Sequence, residues 1–465
     1  MRNFGDLTLM TDPLWKPSVE RSAASNLVAF MDWQREERGR IFTDYENLHT
    51  WSVNDQHSFW SDFWDWAGVI SQEKGDRILV DAKKIPGAAY FPDARLNFSE
   101  NLLRYCSENP AIIFRREDGL QREVSGDALV ALAGKVSRAL LAMGIKPGDR
   151  VAGFLPNIPE AIAIMAGAAA IGATWTSCSP DFGVQGVLDR FGQVRPKVMA
   201  TVDGYVYSGK HIDIRDKVKD VAQALDSLEQ LIVIPFLENA PDLRNLPKAL
   251  TLNDWLHGHS DAAPDYVQLP FDHPLYILYS SGTTGAPKCI VHKAGGVLLQ
   301  HLKEYILHTD IKPGMRHFYF TTLGWMMWNW QTSGLAAGAT LMLYDGSPFH
   351  PDGNVLWDYA AEEKFDVFGT SAKYLEGCLK GGIQPIKTHD LGRLKTILST
   401  GSVLVPEGFD YVYERVKADV CLASISGGTD LCGCFVGGVP TQPVWRGEIQ
   451  APALAMDVAT LLNTL

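Results

Sequence analysis

The stretch "SSGTTGAPK", residues 280–288, gathers four hydroxyl side chains, two glycines and one lysine between the apolar runs "LYIL" and "CIV". Glycine allows positive φ and lets backbone N–H groups converge, while hydroxyls and an ammonium add further donors. Converging donors of this kind form a cradle for phosphate. An ordinary glycine-rich turn between two strands is the alternative, and the residues alone leave it open.

The spacing differs from that of a Walker A loop. Gly282 and Gly285 are three residues apart, and Lys288 follows Pro287 rather than a glycine. A Walker lysine comes at the start of a helix, directly after the last glycine. The stretch therefore predicts a phosphate-binding hairpin of another kind.

The loop must be positioned by the strands and helices that alternate along the chain. Apolar runs such as "RVAGFL", "KVMATV", "QLIVIPF", "RHFYFTT", "ATLMLYD", "LKTILST" and "VCLASISG" alternate with helical patterns. Continuous apolar strands separated by helices predict an α/β fold with parallel sheets covered on both faces, in two doubly wound halves. Ligands in such folds bind at the carboxyl ends of strands.

Three local patterns give sharper predictions. Ser125 is expected to cap a helix that ends near Gly144 and carries an apolar stripe at Leu129, Leu132, Val136 and Leu140. Pro159 is expected to open a second helix, and the uncharged residues 161–175 are too few to span a membrane. The tryptophan-rich segment before residue 70 favours aromatic core packing over a ligand site.

Composition narrows the class of protein. Of 465 residues, 46% are apolar and 21% charged, and the net charge of −12 gives no indication of a nucleic-acid or anionic-membrane partner. The start of the chain lacks the pattern of a secretory signal, so a cytosolic location is expected. Seven cysteines are typical of reduced core thiols. Cys432 and Cys434 could be half of a metal site, but no second ligand pair has suitable spacing.

Four ordered motifs resemble the adenylate-forming enzymes, which include acyl-CoA synthetases and luciferases. "YSSGTTGAPK" is similar to their phosphate loop, "TTLGWMMWNW" (321–330) to the segment along the acyl and thioester channels, "STGSVL" (399–404) to the adenine loop, and "SISGGTD" (424–430) to the motif for α-phosphate and metal. This resemblance implies a large N-terminal domain of two doubly wound α/β subdomains plus a partial β-barrel subdomain.

A narrower resemblance, from about residue 48 to about residue 457, is to the acetoacetate–CoA ligases. It rests on "SPDFGVQGVLDRFGQVRPK", "LGWMMWNWQTSGLAAGATLMLYDGSP" and "ARLNFSENLL" together with the four motifs. It implies that acetoacetate, ATP and CoA react with Mg²⁺ present, through an acetoacetyl-adenylate, to give acetoacetyl-CoA, AMP and pyrophosphate. The implied domains are a helical region at 1–105, an AMP-binding domain at 106–459 and an unrelated tail at 460–465.

The resemblance also implies roles for single residues. Asp430, where the wider superfamily has a glutamate, would bind Mg²⁺, and Thr429 beside Gly428 would contact the α-phosphate. Adenine would lie against Gly401, Ser402 and Val403. The β- and γ-phosphates would be held by Ser280, Ser281, Gly282, Thr283, Thr284, Gly285 and Lys288.

An acyl pocket and a CoA contact follow from the same resemblance. Gly427 replaces a tryptophan of acetate-activating relatives, which would make room for a larger acid, and the other pocket residues would be Trp325, Met326, Met327 and Thr400. Core packing at a helix start is the alternative for this aromatic segment. Lys210 could contact CoA, or could be a solvated surface lysine.

The sequence ends at "GEIQAPALAMDVATLLNTL", before the family's ribose-binding turn, hinge and small domain with its lysine. We therefore expect much of the adenylation rate to be lost and nucleotide binding through the phosphate loop to survive at weakened affinity. Three hypotheses stay open: an acetoacetate ligase, a form that only binds nucleotide, and a CoA ligase for another short-chain acid. The sequence predicts no oligomeric state.

Overall fold

The computed structural model describes residues 12–280 and 285–459. The predictions for Ser281, Gly282, Thr283 and Thr284 and for the tail 460–465 lie outside the described residues. Helices in the described part are α1 (Val19–Ala23), α2 (Asn26–Arg38), α3 (Tyr45–Asn54), α4 (Gln56–Trp66), α5 (Phe98–Leu102), α6 (Gly126–Ala142), α7 (Pro159–Ala170), α8 (Val184–Val194), α9 (Arg215–Ala224), α10 (Leu252–Leu256), α11 (Ala294–Lys303), α12 (Met326–Ser333), α13 (Val355–Glu362), α14 (Ala372–Lys380), α15 (Pro385–Thr388) and α16 (Pro406–Tyr411).

Short helical turns of other types occur at three places. Helix α11 continues into a π-helical turn at Glu304–His308, α12 into a 3-10 turn at Gly334–Ala337, and α16 into a π-helical turn at Val412–Val416. π-helical turns are rare and are often found at functional sites. The first of these turns lies beside the candidate site described below.

The strands of the described residues form two large sheets and several small ones. They are β1 (Leu79–Val80), β2 (Ala89–Tyr90), β3 (Arg95–Leu96), β4 (Pro110–Arg116), β5 (Gln121–Ser125), β6 (Arg150–Phe154), β7 (Thr174–Cys178), β8 (Val198–Val202), β9 (Gly204–Tyr207), β10 (Lys210–Asp213), β11 (Gln230–Ile234), β12 (Ala249–Thr251), β13 (Leu269–Pro270), β14 (Pro274–Ser280), β15 (Lys288–Lys293), β16 (Arg316–Tyr319), β17 (Thr340–Asp345), β18 (Val367–Ser371), β19 (Thr396–Thr400), β20 (Cys421–Ser424), β21 (Ser426–Gly428), β22 (Gly433–Gly437) and β23 (Ala451–Pro452).

Sheet I has seven strands in the order β12-β11-β8-β6-β7-β14-β15, and sheet II has seven in the order β20-β19-β18-β16-β17-β4-β5. Both are parallel apart from the edge pairs β14–β15 and β4–β5, which are antiparallel. A short connection joins only antiparallel strands, and both edge pairs are hairpins. The predicted pair of α/β layers is confirmed, with a hairpin added at one edge of each.

A third sheet, sheet III, is antiparallel and has the order β21-β22-β23. Gly427 pairs with Cys434, and Val436 with Pro452. In the described residues this sheet is open. It carries the "SISGGTD" motif next to the carboxyl end of β20 in sheet II.

The predicted helix after Ser125 is confirmed as α6. The Ser125 hydroxyl accepts a hydrogen bond from the Ala128 N–H at 3.2 Å, the N-cap role expected of serine. The stripe faces inward: Leu129, Val136 and Leu140 are buried and Leu132 is half-buried. The chain leaves the helix through Gly144, whose φ of +77° suits glycine.

Helix α7 begins at Pro159 as predicted, and every residue in it except the half-buried Glu160 is buried. This burial explains its continuous apolar sequence. None of the helices that the structure describes combines the length and the apolar character needed to cross a bilayer.

The tryptophan-rich N-terminal segment packs into the core, which confirms that prediction for Trp60 and Trp64. The same helices reach sheet III. The Tyr45 hydroxyl donates to the Pro452 carbonyl at 2.6 Å, and the ring of His49 lies 3.0 Å from the Met456 carbonyl. The N-terminal helices therefore support the part of the chain that follows the "SISGGTD" motif.

All seven cysteines are free. Five of them are buried and the remaining two, Cys106 and Cys289, are half-buried, which confirms the prediction of core thiols. Burial raises the pKa of the Cys106 thiol to about 12.

Three buried histidines should make folding stability sensitive to acid. Burial lowers the pKa of His301 to about 4, and those of His308 and His317 to about 3. Because each is depressed below the value of an unfolded histidine, the unfolded chain binds more protons below about pH 6.5, and stability falls as the pH falls. Each histidine should cost about 2 kcal/mol of unfolding free energy between pH 7 and pH 5.

Urea unfolding of the wild type and of His301→Gln at pH 7 and pH 5 checks this. The variant should lose less stability on acidification than the wild type does. A surface change, His211→Gln, serves as the matched control and should keep the wild-type pH dependence. Equal acid sensitivity in His301→Gln and the wild type would contradict the prediction.

Candidate functional site

A cavity of about 580 Å³ lies at the carboxyl ends of β19 and β20, between α12, the π-helical turn and sheet III. Its position at strand ends is the one expected for a ligand site in a doubly wound fold. Predicted site residues form a large part of its wall: Trp325, Met326, Met327, Thr400, Gly401, Ser402, Val403, Gly427, Gly428 and Thr429. Three segments separated by about 70 and 20 residues in the sequence therefore meet at one place.

The predicted adenine loop follows β19 directly. The Thr400 hydroxyl donates to the Ile425 carbonyl at 2.8 Å, which joins the ends of β19 and β20. Gly401 turns the chain with a φ of +86°, a conformation that favours glycine. Val403 then presents an apolar side chain that is 85% exposed. An exposed apolar side chain at a cavity rim offers a surface for a flat ring.

The turn between β21 and β22 carries Thr429 and Asp430. The Cys432 N–H donates to the Gly428 carbonyl at 3.1 Å and closes the turn. On its buried side the turn is held by His301. The His301 ring contacts the Cys432 carbonyl through Nε2 at 2.8 Å and the Ser333 hydroxyl through Nδ1 at 2.8 Å. The turn is thus fixed to α11 and α12 while the Asp430 side chain stays exposed.

His292 lies near this turn and was missed by the sequence analysis. It is buried, and burial lowers its pKa, opposed by the Thr429 carbonyl and the charge of Asp430. Its Nε2 has no hydrogen-bond partner among the described residues. A signal was available, because Lys288 and His292 are both even-numbered residues of β15 and therefore lie on one face of that strand.

The predicted hairpin is confirmed in its described part. Strands β14 and β15 are antiparallel, and Ser280 pairs with Lys288 at the end of the ladder next to the connecting loop. Gly285 has a φ of +121°, and Lys288 is exposed, with no ion pair among the described residues. The phosphate-holding role of this loop stays a prediction.

Trp325 and its neighbours divide between cavity and core. Trp325, the N-cap residue of α12, is 70% exposed, and Met326 and Met327 are half-buried at the cavity wall. Trp328 and Trp330 are buried. Core packing, the alternative for this segment, therefore applies to Trp328 and not to Trp325, while buried Trp330 also lines the cavity.

The pocket role of Gly427 stays a prediction, and the pairing of β21 with β22 adds a constraint on the side chains that this position can accept. Gly427 lines the cavity, but a Cβ added there would lie 2.1 Å from the Gly433 carbonyl oxygen and 2.8 Å from the Cys434 Cα. A larger side chain at position 427 would push β22 away before it filled the cavity. The sequence could not reveal this, because the clash depends on the pairing of β21 with β22.

Lys210 does not line the cavity. It lies exposed at the start of β10, in a hairpin with β9 where it pairs with Tyr207. Its contact with CoA stays a prediction.

Glu304 is a second residue that the sequence analysis missed. It is buried at the cavity wall, 4% exposed, on the π-helical turn. The signal was a group of polar and charged side chains among the apolar residues of "GGVLLQHLKEYILH", since a charged side chain is rarely buried without partners.

Clusters of three or more metal-ligating side chains do not occur within residues 12–280 and 285–459. A metal at Asp430 would therefore need most of its ligands from substrate and water. Mg²⁺ is commonly bound in this way, through one or two carboxylates and phosphate oxygens, so the exposed Asp430 fits that ion.

Two family models match the chain. The model described as "AMP-binding enzyme" covers residues 98–458, and "Acetyl-coenzyme A synthetase N-terminus" covers residues 45–102. An acetoacetyl-coenzyme A synthetase of Rhizobium meliloti is 54% identical over 447 residues, which are 96% of this chain and 68% of the relative. An acetoacetyl-CoA synthetase of Gallus gallus is 42% identical, with the same two coverages.

A solved structure supports the same assignment. The acetoacetyl-CoA synthetase from Streptomyces lividans superposes with a TM-score of 0.91 at 43% identity, covering 96% of this chain and 69% of that one. Both the sequence and the fold thus agree over nearly all of the chain. The chain belongs to the AMP-binding enzymes and, within them, to the acetoacetyl-CoA synthetase family.

Proposed function

We propose that this chain activates acetoacetate with ATP, forming an acetoacetyl-adenylate and pyrophosphate, and transfers the acyl group to CoA to give acetoacetyl-CoA and AMP. The observation that carries the proposal is the convergence of three predicted motifs on one cavity in a member of this family. Acetoacetate would bind between Met326, Met327 and sheet III. Adenine would bind against Gly401, Ser402 and Val403.

The chemistry calls for fixed donors more than for a base. When a carboxylate attacks the α-phosphorus, negative charge grows on phosphate oxygens, and preorganised donors lower the barrier. Lys288 would supply a cation from the hairpin, together with the hydroxyl of Ser280. Thr429 would donate to the α-phosphate from a turn that His301 holds in place.

ATP, Mg²⁺ and CoA are part of the proposal. Asp430 would hold Mg²⁺, which neutralises phosphate charge when bound. Lys210 remains the candidate contact for CoA. A cytosolic location also belongs to the proposal and is consistent with seven cysteines that form no disulfide.

Acetoacetate-dependent exchange of pyrophosphate into ATP tests the proposed reaction. Because the chain spans 68% of the Rhizobium relative's length, the assay uses the chain itself and the chain joined to the remaining part of that relative. We expect exchange with acetoacetate at a higher kcat/KM than with acetate, propionate or butyrate. Exchange by neither protein with any of these acids would refute the reaction, and a preference for another acid would refute the substrate.

Lys288→Ala should lower the exchange rate about 100-fold, the usual effect of removing one charge-stabilising group. Lys293→Ala, at the other end of the same strand, is the matched control and should keep the wild-type rate. The KM for ATP should rise as well, because the lysine would contact ATP before reaction. A wild-type rate in Lys288→Ala would exclude the lysine from the phosphate site.

Asp430→Asn should raise the Mg²⁺ concentration for half-maximal exchange by about tenfold, because an amide oxygen is a weaker ligand than a carboxylate. Titration of MgCl₂ at fixed ATP measures the change. Asp226→Asn, at an exposed residue outside the cavity lining, provides the control. An unaltered Mg²⁺ requirement in Asp430→Asn would remove this residue from the metal site.

A further inference from the structure

The Glu304 carboxylate lies behind the pocket that the proposed function assigns to the acid. Its Oε1 accepts hydrogen bonds from the Cys434 N–H and the Gln300 side-chain amide, both at 2.8 Å. Its Oε2 accepts one from the Trp330 indole N–H at 2.7 Å. All three partners are donors, which is the complement of an ionised carboxylate.

These partners place the carboxylate close to the acyl pocket from two sides. Cys434 stands directly opposite Gly427 in the pairing of β21 with β22. Trp330 lies one helical turn after Met326 on α12, so the two share a face. A Cβ added at Gly433, in β22, would lie 2.7 Å from Glu304 Oε1. The carboxylate therefore packs directly against the backbone of sheet III, and a glycine at position 433 leaves room for it.

Glu304 has no direct ion pair among the described residues. The nearest cation on the same helix, buried Lys303, donates instead to Gln300 Oε1 at 3.2 Å and to the Leu454 carbonyl at 3.0 Å. Burial lowers the pKa of Lys303, while the neighbouring Glu304 acts in the opposite direction. His301, Tyr305 and the thiols of Cys432 and Cys434 are further titratable groups near the carboxylate. The carboxylate at the cavity wall is therefore held by neutral donors and has no direct bond to a cation among the described residues.

We infer that Glu304 is a specificity-determining residue: its carboxylate excludes acids that carry a second carboxylate and admits acids of similar size with an uncharged far end. Acetoacetate has a neutral acetyl group at that end, while malonate has nearly the same shape with a carboxylate in its place. A like charge beside a buried carboxylate weakens binding, because the effective dielectric constant in a protein interior is below that of water. The inference rests on the proposed function, which assigns this cavity to the acid.

The test measures dissociation constants for acetoacetate and malonate by calorimetry, with AMP present. The wild type should bind malonate at least about tenfold more weakly than acetoacetate. Glu304→Gln should reduce the ratio of the malonate to the acetoacetate dissociation constant at least about tenfold, since the amide has the same shape without the charge. Glu363→Gln, at a half-buried glutamate that pairs with Arg316 away from the cavity, should keep the wild-type ratio.

A second variant guards against misfolding. In Glu304→Gln the new amide N–H₂ is a donor that would face another donor, either the Trp330 indole N–H or the Cys434 N–H, and this conflict could destabilise the fold. The double variant Glu304→Gln/Trp330→Phe removes the indole N–H and with it one such conflict. A purely structural role of Glu304 would weaken both acids alike, whereas exclusion by charge changes their ratio. An unchanged ratio in the folded variants, or equal affinity of the wild type for both acids, overturns the inference and leaves the proposed function standing. Failure of the wild type to bind either acid overturns the proposed function and, with it, this inference.

Discussion

Three side chains on one buried helical stretch join sheet III to α11 and to the π-helical turn that follows it. His301 contacts the Cys432 carbonyl, Glu304 accepts from the Cys434 N–H, and His308 contacts the Gly438 carbonyl through Nδ1 at 2.9 Å. Each bond joins a side chain of α11 or its π-helical turn to backbone of the segment after the "SISGGTD" motif. The cavity and the turn with Thr429 and Asp430 exist in their observed form because of these contacts.

These contacts form a buried polar layer, which consists of the side chains of His301, Glu304 and His308 and the backbone groups that they contact. A buried polar group without a partner is costly, so each ring and carboxylate must be satisfied in a single arrangement. His308 shows this well, because its second nitrogen accepts from the Leu454 N–H. The result is a rigid wall, which suits a reaction in which donors must already be aimed at a growing negative charge.

The N-terminal helices complete the support from the other side. Tyr45 and His49 bind carbonyl groups at and beyond β23, and the side-chain ammonium of Lys303 lies over the Trp60 ring at 5.9 Å. The region matched by the acetyl-coenzyme A synthetase N-terminus model thus packs against the back of the same polar layer. Its tryptophans contribute through packing, and the site itself is made by later segments.

Local patterns in the sequence were enough to predict the α/β layers, the cap at Ser125, the helix start at Pro159 and the hairpin before Lys288. Those features depend on hydrophobic period, capping and turn chemistry within a few residues. The family motifs also named ten residues that meet in the cavity, since each motif follows a strand end and parallel strands share one edge.

What the sequence left undetermined was pairing between distant segments. Only the register of β21 with β22 reveals that a side chain at position 427 would meet the backbone of Gly433 and Cys434, and only the packing of α11 under sheet III places Glu304 and His301 at the site. Tertiary structure decides such matters because a side chain buried among distant segments takes its role from the partners that surround it.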